Sequence, residues 1–268
     1  MSPSSRYLPD LELAHHLADA ADAVTLERFQ AADLQVSRKR DRSFVTDADR
    51  ATEAKIRQLL STARPDDGVY GEELGVTGSK QRQWIIDPID GTANYLRGVP
   101  VWATLIALVE DGEVVVSVVS APALHRRWWA SRGNGAFAAV GTDLSQARRL
   151  SVSDVSDPAQ ASVSFSSFTG WVEAGRDKQF FDLLSHCWRT RAFGDFWSYM
   201  LVAEGVVDIA CEPELETYDM AALIPIVEEA GGRFTSLCGE PGPWGGNGLA
   251  TNGHLHTWVL ETLDWKDC

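Results

Sequence analysis

The hydrophobic positions near the start of the chain recur every three to four residues. This spacing predicts two amphipathic helices, Leu11–Phe29 and a second from about Asp47 or Asp49 to Leu60. After a break at Pro65, the short apolar run Val69-Tyr70 predicts a strand that leads into an acidic turn flanked by glycines. The first quarter of the chain is therefore predicted to form two helices followed by one strand.

Apolar runs of strand length dominate the next part of the chain. The run Trp84–Ile86 predicts a strand that ends at Pro88, because proline lacks the N–H needed for sheet pairing. Ala103–Val109 and Val114–Ser120 flank a polar turn and predict a hairpin. Further strands are expected within Arg126–Val140, around a turn rich in glycine. Hairpins of this kind indicate a mixed sheet.

In the second half, predicted strands alternate with predicted helices. The strands are expected at Ser162–Phe165, Thr190–Phe193, Val206–Cys211 and Arg233–Leu237, and the helices at Lys178–Cys187, Phe196–Glu204, Met220–Ala230 and after His254. This alternation indicates an α/β fold. The polar segment Ser151–Pro158 can connect two halves, so we expect a single catalytic domain over 1–268, with subdomains at about 1–150 and 151–268.

Composition narrows the class of protein. The chain has 268 residues, of which 44% are hydrophobic and 23% charged, as is typical of a globular enzyme. A formal charge of −14 argues against binding to nucleic acid or to an anionic membrane surface. There is no signal-peptide pattern and no apolar run long enough to span a bilayer, and the four cysteines form no C-x-x-C pair. We therefore expect free thiols and a cytoplasmic location.

The segment Trp84–Thr92 carries the strongest chemical signal. Asp87 and Asp90 lie three residues apart, and Gly91-Thr92 follow directly. If the chain turns after Pro88, the two carboxylates can converge, and they repel each other unless a cation lies between them. Backbone N–H groups at the start of the following turn or helix attract an anion. A site for both a hard cation and an anion suggests phosphate chemistry.

Three other acidic elements can join this pair: Glu72-Glu73, Asp219, and the Asp47 and Asp49 pair at a helix start. Each alone has a simpler explanation, a helix cap or a solvated turn. Together they form a set of oxygen ligands suited to Mg²⁺, without a His/Cys cluster that would favour zinc. Hydrolysis of phosphate monoesters is very slow without a catalyst, and two or more metal ions supply the electrostatic stabilisation that it requires.

These motifs resemble the signature of the inositol monophosphatase superfamily of Mg²⁺-dependent phosphatases. The matching pieces occur in the expected order: Thr46-Asp47-Ala48-Asp49, Gly71-Glu72-Glu73, Asp87–Thr92 and Tyr218-Asp219-Met220-Ala221-Ala222. A tyrosine stands at 218 where the family usually has tryptophan, which leaves the acidic residue after it in place. The resemblance implies an αβαβα layered fold with mixed sheets, a small phosphorylated metabolite as substrate, and a homodimer.

The resemblance also implies a set of metal ligands. Glu72, Asp87 and the Ile89 carbonyl would bind a first Mg²⁺, and Asp87, Asp90 and Asp219 a second. A third, weaker ion could use Glu72, so two to three Mg²⁺ are expected per site.

Roles for water and phosphate follow from the same resemblance. Thr92, held by Asp49, would help Glu72 to orient and deprotonate the attacking water. The N–H groups of Gly91 and Thr92 would receive the phosphate, beside Asp90. The family works by direct in-line attack, without a phosphoenzyme.

Within the superfamily, the chain is most similar to the actinobacterial-type histidinol-phosphate phosphatases. The blocks that carry this similarity are Arg97–Ala103, Ser120–Leu124, Arg126–Ala130, Ser164–Ser167, Arg191–Phe196 and Leu201–Gly205. Asp195 and Glu212 match positions near the leaving group, where carboxylates suit a cationic substrate, and Arg191 could meet a phosphate. Inositol-type monophosphates are the main alternative, followed by nucleotide 3′-phosphates and sugar bisphosphates.

Three other classes of function fit less well. A haloacid-dehalogenase-type phosphatase needs Asp-x-Asp, whereas Pro88 lies within an Asp-x-x-Asp spacing here. A non-catalytic metal- or phosphate-binding regulator would not need all of Glu72, Thr92 and Asp49. A structural dimerisation module would not need the acidic set at all. The sequence therefore favours a hydrolase that cleaves histidinol phosphate, with inositol 1-phosphate as the alternative substrate.

Overall fold

The computed structural model describes residues 6–39, 44–141 and 143–266. The helices in these ranges are α1 Leu8–Arg28, α2 Asp47–Ala63, α3 Thr92–Arg97, α4 Phe168–Glu173, α5 Asp177–His186, α6 Asp195–Ala203, α7 Thr217–Ala221, α8 Leu223–Glu229 and α9 His256–Leu263. The strands are β1 Val36–Arg38, β2 Phe44–Thr46, β3 Gly68–Gly71, β4 Gly75–Thr77, β5 Arg82–Asp90, β6 Ala103–Glu110, β7 Glu113–Ala121, β8 Arg126–Ser131, β9 Ala136–Val140, β10 Arg148–Arg149, β11 Ser162–Ser164, β12 Arg189–Arg191, β13 Ile209–Glu212, β14 Arg233–Thr235 and β15 Gly248–Thr251. None of these helices is both long and apolar enough to cross a membrane.

Two mixed sheets form the framework. The larger has eight strands in the order β10-β9-β8-β7-β6-β5-β3-β4, and only its β3–β5 pairing is parallel. The smaller has five strands in the order β12-β11-β13-β15-β14, with parallel pairing around β11 and antiparallel pairing around β15. The expectation of mixed sheets is confirmed.

Both faces of the large sheet are buried, because successive residues of a strand point to opposite sides. Trp84 and Ile86 of β5 belong to a core shared with α1 and α2, and Ile85 between them packs into a second core with α6 and α8. A sheet covered on both faces should show continuous rather than alternating apolar runs, as β5 to β7 do. The large sheet thus lies between two helical layers.

The small sheet completes the stack. Its inner face joins the core of α6 and α8, and its outer face packs against α4, α5 and α9. In that outer layer the Trp171 and Phe180 rings are stacked, with centroids 4.0 Å apart and an interplanar angle of 3°. The layer order is therefore αβαβα, as the family resemblance implied.

A β-bulge in β5 replaces the predicted strand end at Pro88. β5 continues to Asp90. Asp87 pairs with Leu105 and Asp90 with Ala103, so three residues along β5 correspond to two along β6. The extra residue reverses the alternation of faces, so side chains three positions apart lie on one side. The Thr104 hydroxyl donates to the Pro88 carbonyl over 2.8 Å, inside the bulge. The prediction was wrong because a bulge can accommodate a proline within a strand.

Two smaller expectations also differ from the structure. The helix predicted over Met220–Ala230 is divided into α7 and α8, because Pro225 fits the first turn of a helix but not its interior. The cysteines were expected to be free thiols; Cys187 and Cys211 are, but Cys238 is disulfide-bonded.

Replacing Thr104 by valine tests the bulge. Thr104 is fully buried, so the substitution keeps its shape but leaves the Pro88 carbonyl without its hydroxyl donor. We expect a loss of about 1–3 kcal/mol in the free energy of unfolding, measured by urea denaturation in EDTA. The exposed Thr62→Val, on α2, should change stability by no more than about 0.5 kcal/mol. Equal stability of Thr104→Val and wild type would show that this hydrogen bond does not support the bulge.

Candidate metal and phosphate site

Three carboxylates from distant parts of the chain meet at the bulge. Asp87 and Asp90 come from β5 and Asp219 from α7, and one oxygen of each lies within 4.8 Å of the other two. The bulge makes this possible, since a regular strand would send Asp87 and Asp90 to opposite faces. The sequence predicted the convergence, and the structure supplies its cause.

A backbone N–H orients each of these carboxylates. The Ile89 N–H donates to Asp87 over 3.0 Å, and an N–H of the first turn of α6 donates to Asp90 over 2.8 Å. Asp219 accepts from the N–H of the residue before α7 over 2.7 Å. Each carboxylate therefore has one oxygen fixed by the fold, which holds the other in a defined direction.

Burial and mutual repulsion raise the pKa values of this group. The pKa of Asp87 is well above its ordinary range, first because of burial and then because of the charges of Glu72 and Asp90. Burial, followed by the carboxylates of Asp195 and Asp219, likewise raises the pKa of Asp90. Burial is also the main reason why the pKa of Asp219 is raised to about 7. A bound cation would relieve both the repulsion and the loss of hydration.

A second acidic cluster lies beside the first and contains Asp49, Glu72 and Glu73, with ligand oxygens within 4.8 Å of one another. The Lys39 ammonium lies 2.6 Å from Glu72 Oε1 and 2.5 Å from Glu73 Oε1. Burial opposes its charge, but the hydrogen bonds to both carboxylates raise the pKa of Lys39 above its usual value. Sequence reasoning missed Lys39, because a lysine far from the acidic motif carries no local signal.

The glutamate turn rests on another buried carboxylate, Glu53. Its Oε2 accepts from the Glu73 N–H over 2.7 Å, and its Oε1 pairs with Arg57 over 2.7 Å. It fills the space beside Gly71, where an added Cβ would lie 1.9 Å from Glu53 Oε1. Sequence reasoning missed Glu53 as well. The available signal was a charged residue on the apolar face of a predicted helix.

The predicted contact between Asp49 and Thr92 differs from the structure. The Asp49 Oδ2 atom accepts from the Thr46 N–H over 2.7 Å and completes a capping box at the start of α2. Asp49 Oδ1 is buried and has no partner among the described residues. The Thr92 hydroxyl donates instead to the Ile89 carbonyl over 3.0 Å. Burial raises the pKa of Asp49 to about 7.

The Gly91-Thr92 turn requires glycine. Gly91 has a φ of +83°, and an added Cβ would lie 3.0 Å from the Val101 carbonyl and 3.2 Å from Asp195 Oδ2. This left-handed residue immediately precedes α3, whose first residue is Thr92. Glycine is needed here because the Val101 carbonyl and the Asp195 carboxylate already occupy the space that a Cβ would take.

A cavity of about 260 Å³ extends from the metal cluster. Asp90 and Asp219 line one part, and the remaining lining residues include Ser166, Asp195, Phe196, Tyr199, Glu212, Glu214, Leu215 and Leu223. Burial raises the pKa of Asp195 to about 6 and that of Glu212 to about 8. The cavity lining thus contains five acidic residues, and Asp195 lies close enough to Asp90 and Asp219 to raise their pKa values.

Arg191 lies apart from this acidic lining. It is an exposed residue of the edge strand β12, and its guanidinium donates to the Thr190 carbonyl over 2.7 Å. By contrast, Asp195 and Glu212 both line the cavity. The sequence did not point to Tyr199, whose buried hydroxyl has no partner in the described structure.

Gly71→Ala tests the support of the glutamate turn. The new Cβ would displace the buried Glu53 carboxylate from its backbone donors, so we expect a loss of about 1–3 kcal/mol in the free energy of unfolding. Mg²⁺ affinity, measured by calorimetry, should fall with it. Gly170→Ala within α4 is the control, because its Cβ would meet only Pro213, at 3.3 Å. Unchanged stability and Mg²⁺ affinity in Gly71→Ala would contradict the role of Glu53.

Glu212 predicts a pH dependence of stability. Its folded-state pKa of about 8 lies above the ordinary value of 4.5, so the folded protein retains a proton that the unfolded chain has already lost. The resulting stabilisation is fully present below about pH 4.5 and disappears as the pH rises through about 8. In EDTA, the melting temperature of wild type should therefore fall over this interval.

Glu212→Gln should make that fall smaller, whereas the exposed Glu214→Gln in the same cavity should follow wild type. Calorimetric melting curves at a series of pH values measure the difference. Parallel curves for wild type and Glu212→Gln would show that Glu212 does not carry the effect.

Comparison with known proteins agrees with this geometry. The model of the inositol monophosphatase family matches residues 8–265. A histidinol-phosphatase of Streptomyces coelicolor is 58% identical over 97% of this chain and 98% of its own, and one of Mycobacterium tuberculosis is 58% identical over 95% and 98%. An inositol monophosphatase structure from Zymomonas mobilis superposes with a TM-score of 0.83 at 29% identity, covering 97% of this chain and 99% of its own. The chain, with its αβαβα layers and converging carboxylates, belongs to the inositol monophosphatase family, whose members are metal-dependent phosphatases.

Proposed function

We propose that this protein is a Mg²⁺-dependent phosphomonoesterase that hydrolyses L-histidinol phosphate to L-histidinol and phosphate. The observation that carries the proposal is the shared cavity, which is lined by Asp90 and Asp219 and also by Asp195 and Glu212. The first pair suits a cation-bound phosphate, and the second suits a leaving group that carries positive charge. The two histidinol-phosphatases at 58% identity support the same substrate.

The donor set fits Mg²⁺. Both clusters consist of carboxylates alone, which are the ligands that a small hard cation prefers. We propose Glu72, Asp87, the Ile89 carbonyl, Asp90 and Asp219 as the ligands of two to three ions. When bound, the ions neutralise charge on the phosphate and activate the attacking water.

The remaining chemistry falls to residues around the turn. The Gly91 and Thr92 N–H groups receive the phosphate, because they lie at the start of α3 and have no acceptor within that helix. The Thr92 hydroxyl donates its hydrogen to the Ile89 carbonyl. The Thr92 Oγ1 atom is therefore free to accept a hydrogen bond from the attacking water. Glu72 then takes the proton of that water. Asp49 lies in the same acidic cluster as Glu72, with its Oδ1 atom buried and without a partner among the described residues, and it helps to keep Glu72 and Thr92 in place.

The leaving group explains the acidity of the rest of the cavity. Histidinol phosphate carries an ammonium and an imidazole, both of which can donate to carboxylates. Asp195, with a pKa of about 6, is mostly ionised at neutral pH, and an arriving cation would favour ionisation of Glu212 as well. A neutral polyol offers no such charge to either residue.

Assembly and location belong to the same proposal. We expect a homodimer, as in the family resemblance, and a cytoplasmic site of action for a biosynthetic phosphatase. Sedimentation equilibrium would test the first expectation, since a monomeric mass at micromolar concentration contradicts it.

Phosphate release in the presence of Mg²⁺ tests the proposed reaction. We expect kcat/KM for histidinol phosphate to exceed that for myo-inositol 1-phosphate by about 100-fold or more, equivalent to about 2.7 kcal/mol. Asp90→Asn should lower kcat at least about 100-fold, because the site loses a charge that would hold the cation and, through the cation, the phosphate. The exposed Glu261→Gln makes the same change in charge and should leave kcat unaltered.

The outcomes separate the parts of the proposal. A preference for inositol 1-phosphate would retain the phosphatase and overturn its substrate. Absence of activity on both esters, or a fully active Asp90→Asn, would overturn the catalytic site.

A further inference from the structure

Asp195 is held in an unusual backbone conformation. Its φ is +48°, in the left-handed region that residues other than glycine seldom adopt. Its N–H donates to the Ser166 hydroxyl over 2.8 Å. The next N–H, that of Phe196, donates to Asp90 over 2.8 Å. Asp195 is therefore fixed on both sides, and one of these links joins it to the candidate metal cluster.

Asn94 fixes the side chain of Asp195. Its amide Nδ2 donates to Asp195 Oδ2 over 2.8 Å and to the Val101 carbonyl over 3.0 Å. Asn94 lies on α3, the short helix that follows Gly91-Thr92. One carboxylate oxygen of Asp195 is thus tied to the same turn that is proposed to receive the phosphate.

The carboxylate lies close to that turn. Asp195 Oδ2 would be 3.2 Å from a Cβ placed on Gly91, so it lies beside the glycine itself. A carboxylate this close to a phosphate dianion repels it, unless a positive charge on the substrate lies between them. An ammonium on the carbon next to the phosphorylated carbon is only three bonds from the ester oxygen, and it would occupy this position.

We propose that Asn94 is a positioning residue, which holds the Asp195 carboxylate to bind an ammonium on the carbon adjacent to the phosphate ester. The inference rests on the proposed function and deepens it, because it assigns the substrate class as 2-aminoalkyl phosphate monoesters. Esters without the amine leave the Asp195 charge unpaired beside the phosphate. Specificity then comes from repulsion of the wrong substrate as well as attraction of the right one.

A purely structural role for Asn94 makes a different prediction. Its hydrogen bond to the Val101 carbonyl also closes the loop between α3 and β6. Loss of that bond alone would impair all substrates equally. The discrimination between an amine-bearing ester and its amine-free analogue therefore separates positioning from loop closure.

The experiment compares histidinol phosphate with 3-(imidazol-4-yl)propyl phosphate, which lacks only the amine and the charge it carries. Steady-state kinetics at saturating Mg²⁺ are measured for wild type, Asn94→Ala, Asp195→Asn and the double variant. Asparagine tolerates the left-handed conformation, so Asp195→Asn removes charge without disturbing the backbone. Asn134→Ala is the control, because its amide makes similar local hydrogen bonds but does not line the cavity.

We expect wild type to prefer the amine-bearing ester about 100-fold, and each single variant to lose at least about tenfold of that preference, mainly through a higher KM for histidinol phosphate. The analogue should be turned over no less well by either variant, and better by Asp195→Asn, because the charge that repels its phosphate is removed. The double variant should match Asp195→Asn, because Asn94 acts through Asp195 and the two effects are not additive. Asn134→Ala should retain the wild-type preference.

Three results would overturn the inference in distinguishable ways. Equal losses on both esters in Asn94→Ala would assign Asn94 to loop closure. A wild type that cleaves both esters equally well would remove the ammonium site but leave the proposed function intact. Inactivity on both esters would overturn the proposed function itself. Thermal melting checks that each variant is folded. If Asn94→Ala is not, Asn94→Leu replaces it, because leucine has nearly the same size and removes the amide donor without adding charge, and it should also lose the preference.

Discussion

The mutual repulsion of buried carboxylates at the end of β5 is the constraint around which the structure is arranged. Asp87, Asp90 and Asp219 are brought within 4.8 Å of one another, where their charges oppose folding in the absence of a cation. The fold holds them there because each accepts from a backbone N–H in a rigid element. Layers buried on both sides supply that rigidity, which makes a preorganised cation site possible.

The same arrangement joins the two halves of the chain. The large sheet, within the first half, provides the bulge and the Gly91-Thr92 turn, and the second half provides α6 and α7. A single apolar core extends from the large sheet through α6 and α8 to the small sheet, so the halves cannot separate without exposing it. The Gly91-Thr92 turn and the Asp195 carboxylate consequently keep a fixed distance. That fixed distance allows a carboxylate such as Asp195 to discriminate between esters.

Local signals explain how much of the fold could be predicted. The helices α1, α2 and α5 and the β6–β7 hairpin follow from hydrophobic period and turn chemistry, both of which are visible in short windows. The strand end predicted at Pro88 was wrong because it depends on a contact outside any short window of sequence. Whether proline ends a strand or lies in a bulge depends on the neighbouring strand. Here the Thr104 hydroxyl on β6 donates to the Pro88 carbonyl. No window around Pro88 contains that information.

The sequence by itself determined the chemistry of this protein: which acidic residues exist, their spacing, and the family motifs that suggest a metal-dependent phosphatase. Only the tertiary structure decided how those groups are held. The bulge places Asp87 and Asp90 on one side, Glu53 supports the glutamate turn from 20 residues away, and Asn94 reaches Asp195 across 101 positions. Contacts over such separations depend on how complete layers pack. They leave no trace in local periodicity, because periodicity records which face of an element is buried and not what lies opposite it.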